Sequence, residues 1–186
     1  MAWEYALTSL AGSAHGEDVS LAGVWAGLPS WGPGSPRLEE ALSQVREEFP
    51  VASEIRFRVI VAGTPRPLRP TVADEVYRIG REALGNAFRH SHASDIEVEL
   101  EYAVDGLRLL VRDNGSGIDL EVLRSRRDAP WGLTEMKERT QRIGGRLRVL
   151  SHSAAGTEIE LSVPGQMTFA FPAEARSVRW LSRVFS

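Results

Sequence analysis

The sequence predicts a two-layer α/β sandwich: a mixed, mostly antiparallel sheet with helices on one face. Three observations point to it. The apolar residues switch between helical and strand periodicity in the order α-β-α-β-β-α-β-β. The strand-like segments alternate apolar with charged residues, so each has one face to bury. The 186 residues suffice for one hydrophobic core and are short for two full domains with a linker.

Residues 1–36 form an irregular leader of Gly, Ser, Pro and Ala with Trp3, Trp25 and Trp31. From Arg37 the pattern changes, because Leu38, Ala41, Leu42, Val45 and Phe49 fall at helical spacing up to the Phe49-Pro50 break. Ile55, Phe57, Val59 and Val61 then alternate with Arg56 and Arg58 as a strand, closed by the turn Gly63-Thr-Pro-Arg-Pro. Thr71 offers an N-cap to a long helix through about Ser91, with Asp74 and Glu75 in its first turn. Its apolar side is Val72, Val76, Ile79, Ala83, Leu84 and Ala87. Ile96, Val98, Leu100 and Tyr102 alternate with Glu97, Glu99 and Glu101, and after the Asp105-Gly106 turn Leu107, Leu109 and Val111 are set against Arg108 and Arg112, giving two antiparallel strands. A Gly- and Arg-rich loop precedes a helix from about Thr134 to Ile143, stopped by Gly144-Gly145. The last hairpin runs from Arg146 and ends at Pro164. The domain therefore covers 37–164, and 165–186 is a tail. There Arg176, Arg179 and Arg183 interleave with Val178, Trp180, Leu181, Val184 and Phe185. The tail reads either as a basic amphipathic contact for a membrane surface or neighbouring chain, or as a frayed terminus.

Composition narrows the function classes. With 22 basic and 25 acidic side chains the net charge is −3, so no global field draws the chain to nucleic acid or anionic lipid, and no nucleic-acid partner is expected. The absence of cysteine excludes a disulfide scaffold, a thiol nucleophile and a Cys-ligated zinc. The longest apolar candidate, Leu21 to Leu28, falls short of the roughly 18–20 residues of a membrane span. The start Met-Ala-Trp-Glu does not read as a signal peptide.

Four features carry candidate chemistry. On the long helix, Glu75, Glu82, Asn86 and Arg89 project within an arc of about 60°, beside the apolar face. Glu82 and Asn86 stack one turn apart, within reach of one ligand; an ordinary solvated face is the alternative. Asp113-Asn-Gly-Ser-Gly-Ile118 follows a strand directly, offering a carboxylate acceptor at a sheet end and backbone that a flat ligand can approach. An adenine exocyclic amine is its natural donor, while Asp-Asn-Gly alone is also a good turn. Ser125 to Arg139 runs from a basic loop through Gly132 into a helix N-terminus suited to phosphate, or forms a surface loop. Gly156-Thr157 opens the final strand with a hydroxyl that assists the adenine site or shapes the turn.

Together these runs are specific. Glu82-Ala-Leu-Gly-Asn86-Ala-Phe-Arg-His-Ser resembles the N box of sensor histidine kinase ATP-binding domains. Asp113-Asn-Gly-Ser-Gly-Ile resembles their first glycine box, and Trp131-Gly-Leu-Thr-Glu-Met-Lys-Glu-Arg with Gly144-Gly145 the second. The superfamily also holds DNA gyrase, the Hsp90-type chaperones and MutL-type ATPases, and the Gly-Leu-x-x-Met-x-Glu-Arg form looks like the nitrate-sensor-like subfamily. The resemblance covers about Arg37 to Pro164.

It implies a Bergerat-type fold, ATP and Mg²⁺ as cofactors, and transfer of the γ-phosphoryl group to histidine. Asn86 would ligate Mg²⁺ through its side-chain oxygen, and Glu82 would be the catalytic group that orients or polarises the attacking one. Asp113 would accept from the adenine amine, Gly115 and Gly117 would permit close approach beside Ile118, and Gly132 with Leu133 would sit at the phosphate-facing end of the lid. Thr157 would complete the adenine site. Arg89 stands where the family often has Lys, so its phosphate role changes geometry, and His90 beside it reads as structural or ribose-side. The lid between Ile118 and Gly132 is short and shows no Phe-rich box.

One departure is the phosphoacceptor. Upstream of the ATP domain the one histidine is His15, in Ala-His-Gly-Glu-Asp, without the helical motif that a phosphoacceptor hairpin needs. The implied partners are therefore a separate hairpin domain of the full-length kinase and a downstream response regulator, with dimerisation belonging to the full-length protein. The implied location is the cytoplasmic portion of a membrane-associated kinase. The alternatives are a stand-alone serine kinase of the anti-sigma type, and an ATP-binding regulatory module without transfer. Retention of Glu82 with Asn86 argues against the last, since a mere binder needs no positioned carboxylate.

Overall fold

The computed structural model describes residues 31, 35–49, 54–118, 131–152 and 155–170. Most of the irregular leader, His15, the loop at 119–130 and the basic tail at 171–186 lie outside the described residues.

Helix α1 (Leu38–Gln44) continues as a 3₁₀ turn over Val45–Glu48, with the Glu40 carboxylate accepting from the Arg37 N–H at 3.1 Å as in a capping box. Strand β1 (Arg56–Gly63), helix α2 (Pro70–His90), strands β2 (Asp95–Tyr102) and β3 (Gly106–Asp113), helix α3 (Trp131–Arg142), strands β4 (Arg146–His152) and β5 (Gly156–Pro164), and the short helix α4 (Gly165–Thr168) follow. The sheet order is β1-β2-β3-β5-β4. β1 runs parallel to β2, and the other three pairings are antiparallel. The parallel pair exists because α2 is the crossover between its two strands.

One core joins the layers. Ile96, Val98 and Leu100 of β2, Leu107, Leu109 and Val111 of β3, and Ile159, Leu161 and Val163 of β5 turn the same face of the sheet toward Leu42, Val76, Ile79, Leu84 and Met136 of the helices. The other face is a charge ladder whose sign alternates from strand to strand. Arg56 and Arg58 on β1 pair with Asp95 and Glu97 on β2 at 2.9 and 3.0 Å. Arg108 on β3 reaches Glu99, Glu101 and Glu160, each at 3.2 Å, and Arg112 reaches Glu97 and Glu158 at 3.4 Å. Arg148 on β4 closes the series on Glu160 at 3.6 Å. Exposed pairs of this kind contribute about 0–1 kcal/mol each. Their larger effect is on pairing, since another strand order would set like charges opposite one another. Leu110, outward on β3, is nonetheless buried at 3% exposure, shielded among these long side chains.

The long helix starts one residue before the Thr71 cap that the sequence suggests. Pro70 takes its first position, where a missing N–H costs nothing, and Arg69 before it is extended at φ −63°, ψ 133°, as residues preceding proline are. Asp74 and Glu75 accordingly fall beyond the first turn and serve as ion-pair partners: Asp74 meets Arg78 at 2.9 Å, and Glu75 meets α3. Helix α3 begins at Trp131, three residues before the Thr134 start expected.

The chain remains packed past Pro164. The buried Thr168 hydroxyl lies 3.0 and 2.8 Å from the carbonyls of Val163 and Pro164, and Phe169 bridges to Leu68. The Arg66 guanidinium stacks 3.5 Å from the Phe169 ring centroid while donating to the Ala103 carbonyl. These contacts fasten the segment to the entry of α2. Of the leader tryptophans, Trp31 packs on Tyr77 with ring centroids 5.9 Å apart.

Candidate functional site

The C-terminal half of α2, the end of β3 and the start of β5 converge on one cavity of about 330 Å³. Its walls are Ala83, Asn86, Ala87 and His90 from α2 and Ser91 just past its end, Asp113, Gly117 and Ile118 from the end of β3 and its loop, Leu133 from α3, and Thr157 and Ile159 from β5. Small residues four apart, Ala83 and Ala87 on α2 and Ser91 at its C-cap, keep the floor low enough for a ligand to lie against the helix.

Asp113 closes one end. It is the last residue of β3 and stands opposite Thr157 in the register, and its Oδ1 accepts from the Gly115 N–H at 2.9 Å. Burial pushes its carboxyl above the usual carboxylate range, against the opposing pull of backbone N–H groups of Gly115 and Thr157. Asn114 locks the turn that follows. Its Oδ1 accepts from the N–H groups of Ser94 and Asp95 at 3.0 and 2.9 Å, while the Ser116 N–H bonds the Ser91 carbonyl at 2.7 Å. Gly115 is buried against that same carbonyl, where a Cβ would overlap it.

Asn86 and Glu82 stand toward the other end. The Asn86 Nδ2 donates to Glu82 Oε1 at 3.3 Å, which turns the amide so that Oδ1 remains an acceptor. Gly132, near the start of α3, packs so closely on Glu82 that a Cβ there would overlap the carboxylate. What holds α3 at this distance is an ion-pair cluster further along, in which Glu75 takes Arg139 at 3.0 Å and Arg142 at 3.2 Å. Glu75 thus belongs to helix packing, one face of the predicted stripe notwithstanding. Among the described residues no three His, Asp or Glu side chains gather as a metal cage. A single amide oxygen facing a cavity suits a magnesium ion that keeps most of its waters and takes its other ligands from phosphate.

Of the residues singled out in the sequence, Asn86, His90, Asp113, Gly117, Ile118, Leu133 and Thr157 line the cavity; Glu82 bonds Asn86, Gly115 bonds Asp113, and Gly132 packs on Glu82. Arg89 is not brought in. Its Nε donates to the Gly85 carbonyl at 3.0 Å, and its guanidinium lies 5.5 Å from the Phe49 ring centroid, so its own helix and an aromatic neighbour hold the charge off the cavity. Sequence reasoning passed over Ser91 and Ser151. Ser151 is buried, and its position on the inward parity of β4 after Leu147 and Val149 was the available signal. A buried polar residue in an apolar row needs partners, and those partners are at the site.

Gly156 sets the joint between β4 and β5. It has φ +85°, and a Cβ there would run into the Asp113 carbonyl. Gly156→Ala should therefore lower domain stability by more than about 1 kcal/mol, read as the midpoint of urea unfolding, and should weaken ligand binding through displacement of Asp113 and Thr157.

Residues 71–167, more than half of the chain, match the family of histidine kinase-, DNA gyrase B- and HSP90-like ATPases. The chain belongs to this family. This ATPase domain is 38% identical over 127 residues to the sensor histidine kinase LiaS of Bacillus subtilis, covering 68% of the chain and 34% of LiaS. It is 31% identical over 134 residues to the nitrate/nitrite sensor protein NarX of Escherichia coli, covering 72% of the chain and 22% of NarX. Full-length ShkA, solved in complex with AMPPNP, shares the fold at a TM-score of 0.57 and 22% identity, over 74% of the chain and 31% of ShkA. The ATPase domain thus spans about a third or less of the length of the curated relatives it matches. The matched family is one of ATPases, these relatives are sensor kinases by name, and the two-layer sandwich expected from the sequence is the fold observed. No helix among the described residues is long and apolar enough to cross a membrane.

Proposed function

We propose that this domain binds Mg-ATP in the cavity between α2 and the β3–β5 end of the sheet, and transfers the γ-phosphoryl group to a histidine on a separate phosphoacceptor helix hairpin. The observation that carries the reading is the cavity's polarity: an acceptor pair, Asp113 with Thr157, at one end, and Asn86 backed by Glu82 at the other. Asp113 receives the exocyclic amine of adenine, Ile118, Leu133 and Ile159 flank the base, and His90, exposed at the end of α2, faces the sugar side. Asn86 offers Oδ1 to magnesium, which when bound neutralises charge on the triphosphate. Glu82, held by Asn86 and pressed by Gly132, orients the incoming imidazole or takes its proton as the bond to phosphorus forms. ShkA, solved with AMPPNP, supports nucleotide binding by this fold. The hairpin, a downstream response regulator and dimerisation of the longer protein complete the proposed cycle.

The test is labelled Mg-ATP given to the domain alone and with an added phosphoacceptor hairpin of the sensor-kinase type. The expected product is an acid-labile, base-stable phosphate on the hairpin only, because transfer needs the acceptor in line at near-contact distance. Acid-stable phosphate on serine, or none with any hairpin, would replace this reading.

Asn86→Ala should lose the magnesium-dependent part of ATP affinity and keep the rest. Titrations with and without magnesium should then give the same Kd; a retained magnesium effect would remove Asn86 from the metal site.

A further inference from the structure

The Ser151 hydroxyl connects three groups around the cavity. Its oxygen accepts from the Ile118 N–H at 2.7 Å, lies 3.2 Å from the Gly156 carbonyl, and lies 3.1 Å from Thr157 Oγ1. Ser151 is 3% exposed, so these are its partners among the described residues.

The proton arithmetic fixes direction. A serine hydroxyl has one hydrogen and two lone pairs. The Ile118 N–H can only donate, and it takes one lone pair. The Gly156 carbonyl can only accept, and it takes the hydrogen. With both of those bonds made, the lone pair that remains faces Thr157 Oγ1, and Thr157 donates its own hydrogen to Ser151. With that hydrogen turned into the protein, the Thr157 oxygen presents lone pairs alone to the cavity it lines.

We propose that Ser151 is a positioning residue for base selection: it holds Thr157 as an acceptor toward the cavity, beside the acceptor Asp113, so that the site takes a purine with an amino group at position 6 and refuses one with an oxygen there. The inference rests on the nucleotide reading of the cavity and deepens it. Without Ser151 the Thr157 hydroxyl is free to rotate and donate, and a 6-oxo purine no longer meets acceptors only.

The experiment compares ATP with inosine triphosphate, which differs at the 6-position and in the N1 proton that accompanies it, by calorimetric titration with magnesium. The wild-type domain should prefer ATP, and Ser151→Ala should narrow that preference by about three- to tenfold, the worth of one hydrogen bond. In a Thr157→Val background the same change should do nothing further to the ratio. Ser151→Cys, which keeps the shape and weakens each bond, should narrow the preference in the same direction and covers the case in which the alanine variant does not fold. A Ser151→Ala protein that melts at lower temperature yet keeps the full preference would make Ser151 a merely structural residue and overturn the proposal alone. Wild-type protein that binds neither nucleotide would remove the nucleotide reading and the proposal together.

Discussion

Asp113→Asn is expected to weaken ATP binding by about ten- to a hundredfold while leaving the melting temperature of the free domain at pH 7 unchanged or higher. The loss follows from replacing an ionised acceptor by an amide that can turn a donor toward the adenine amine, a change in a charged hydrogen bond of about 1.5–3 kcal/mol. The stability follows from the raised carboxyl pKa. A carboxyl pushed up by burial is disfavoured in its charged form within the fold. Its contribution to stability is full below the unfolded-state pKa and is lost as pH rises through the folded-state pKa, so at neutral pH the charge is a cost. The amide removes that cost and keeps an oxygen for the Gly115 N–H. The same linkage sets a pH dependence: wild-type affinity for ATP should fall on acidification from a pH above the ordinary carboxylate range, and the variant should lack that step. Titration with ATP and GTP decides the role, because equal wild-type affinity for both would exclude Asp113 from base recognition.

Glu82→Gln should separate binding from chemistry. Glutamine fills the same space against Gly132 and still accepts from the Asn86 amide, so ATP affinity should hold within about twofold, short of the loss of even one net hydrogen bond. Transfer to an added hairpin should fall by about 10²–10⁴, the range for a positioned acid–base group. A variant that phosphorylated the hairpin at the wild-type rate would end the catalytic assignment of Glu82.

The sheet was legible because β2 and β5 obey a strict period of two and β3 departs from it only at Leu110. Ile96, Val98 and Leu100 could face only one way, and the glutamates between them only the other. The place of Asp113 at a strand end was legible because Leu107, Leu109 and Val111 lead up to it and Asn114-Gly115 breaks the strand after it. Side-chain direction was less so. Helical geometry put Glu75, Glu82, Asn86 and Arg89 in one arc, yet Glu75 is taken by Arg139 and Arg142 and Arg89 by Phe49, partners distant in sequence or across a break. An angular position on a helix says where a side chain starts, and tertiary neighbours decide where it ends. The Thr71 cap failed for a local reason, since Pro70 next to it is the stronger start signal. Ser151 was hidden because a serine after Leu147 and Val149 reads as easily as the end of a strand as its next inward position, and only the fold brings Ile118 and Thr157 to it.

The sign-alternating outer face of the sheet has a consequence for how other proteins approach this domain. Covering it would strip water from Arg108, Arg112, Glu97 and Glu160 together, and each ion withdrawn from water costs several kcal/mol that existing, solvent-exposed pairs do not return. A partner would have to supply a matching lattice of charges merely to break even. Water is thus the most favourable occupant of the charged centre of that face, and apolar contact is left to its edges, where Ile60 and Leu150 are exposed.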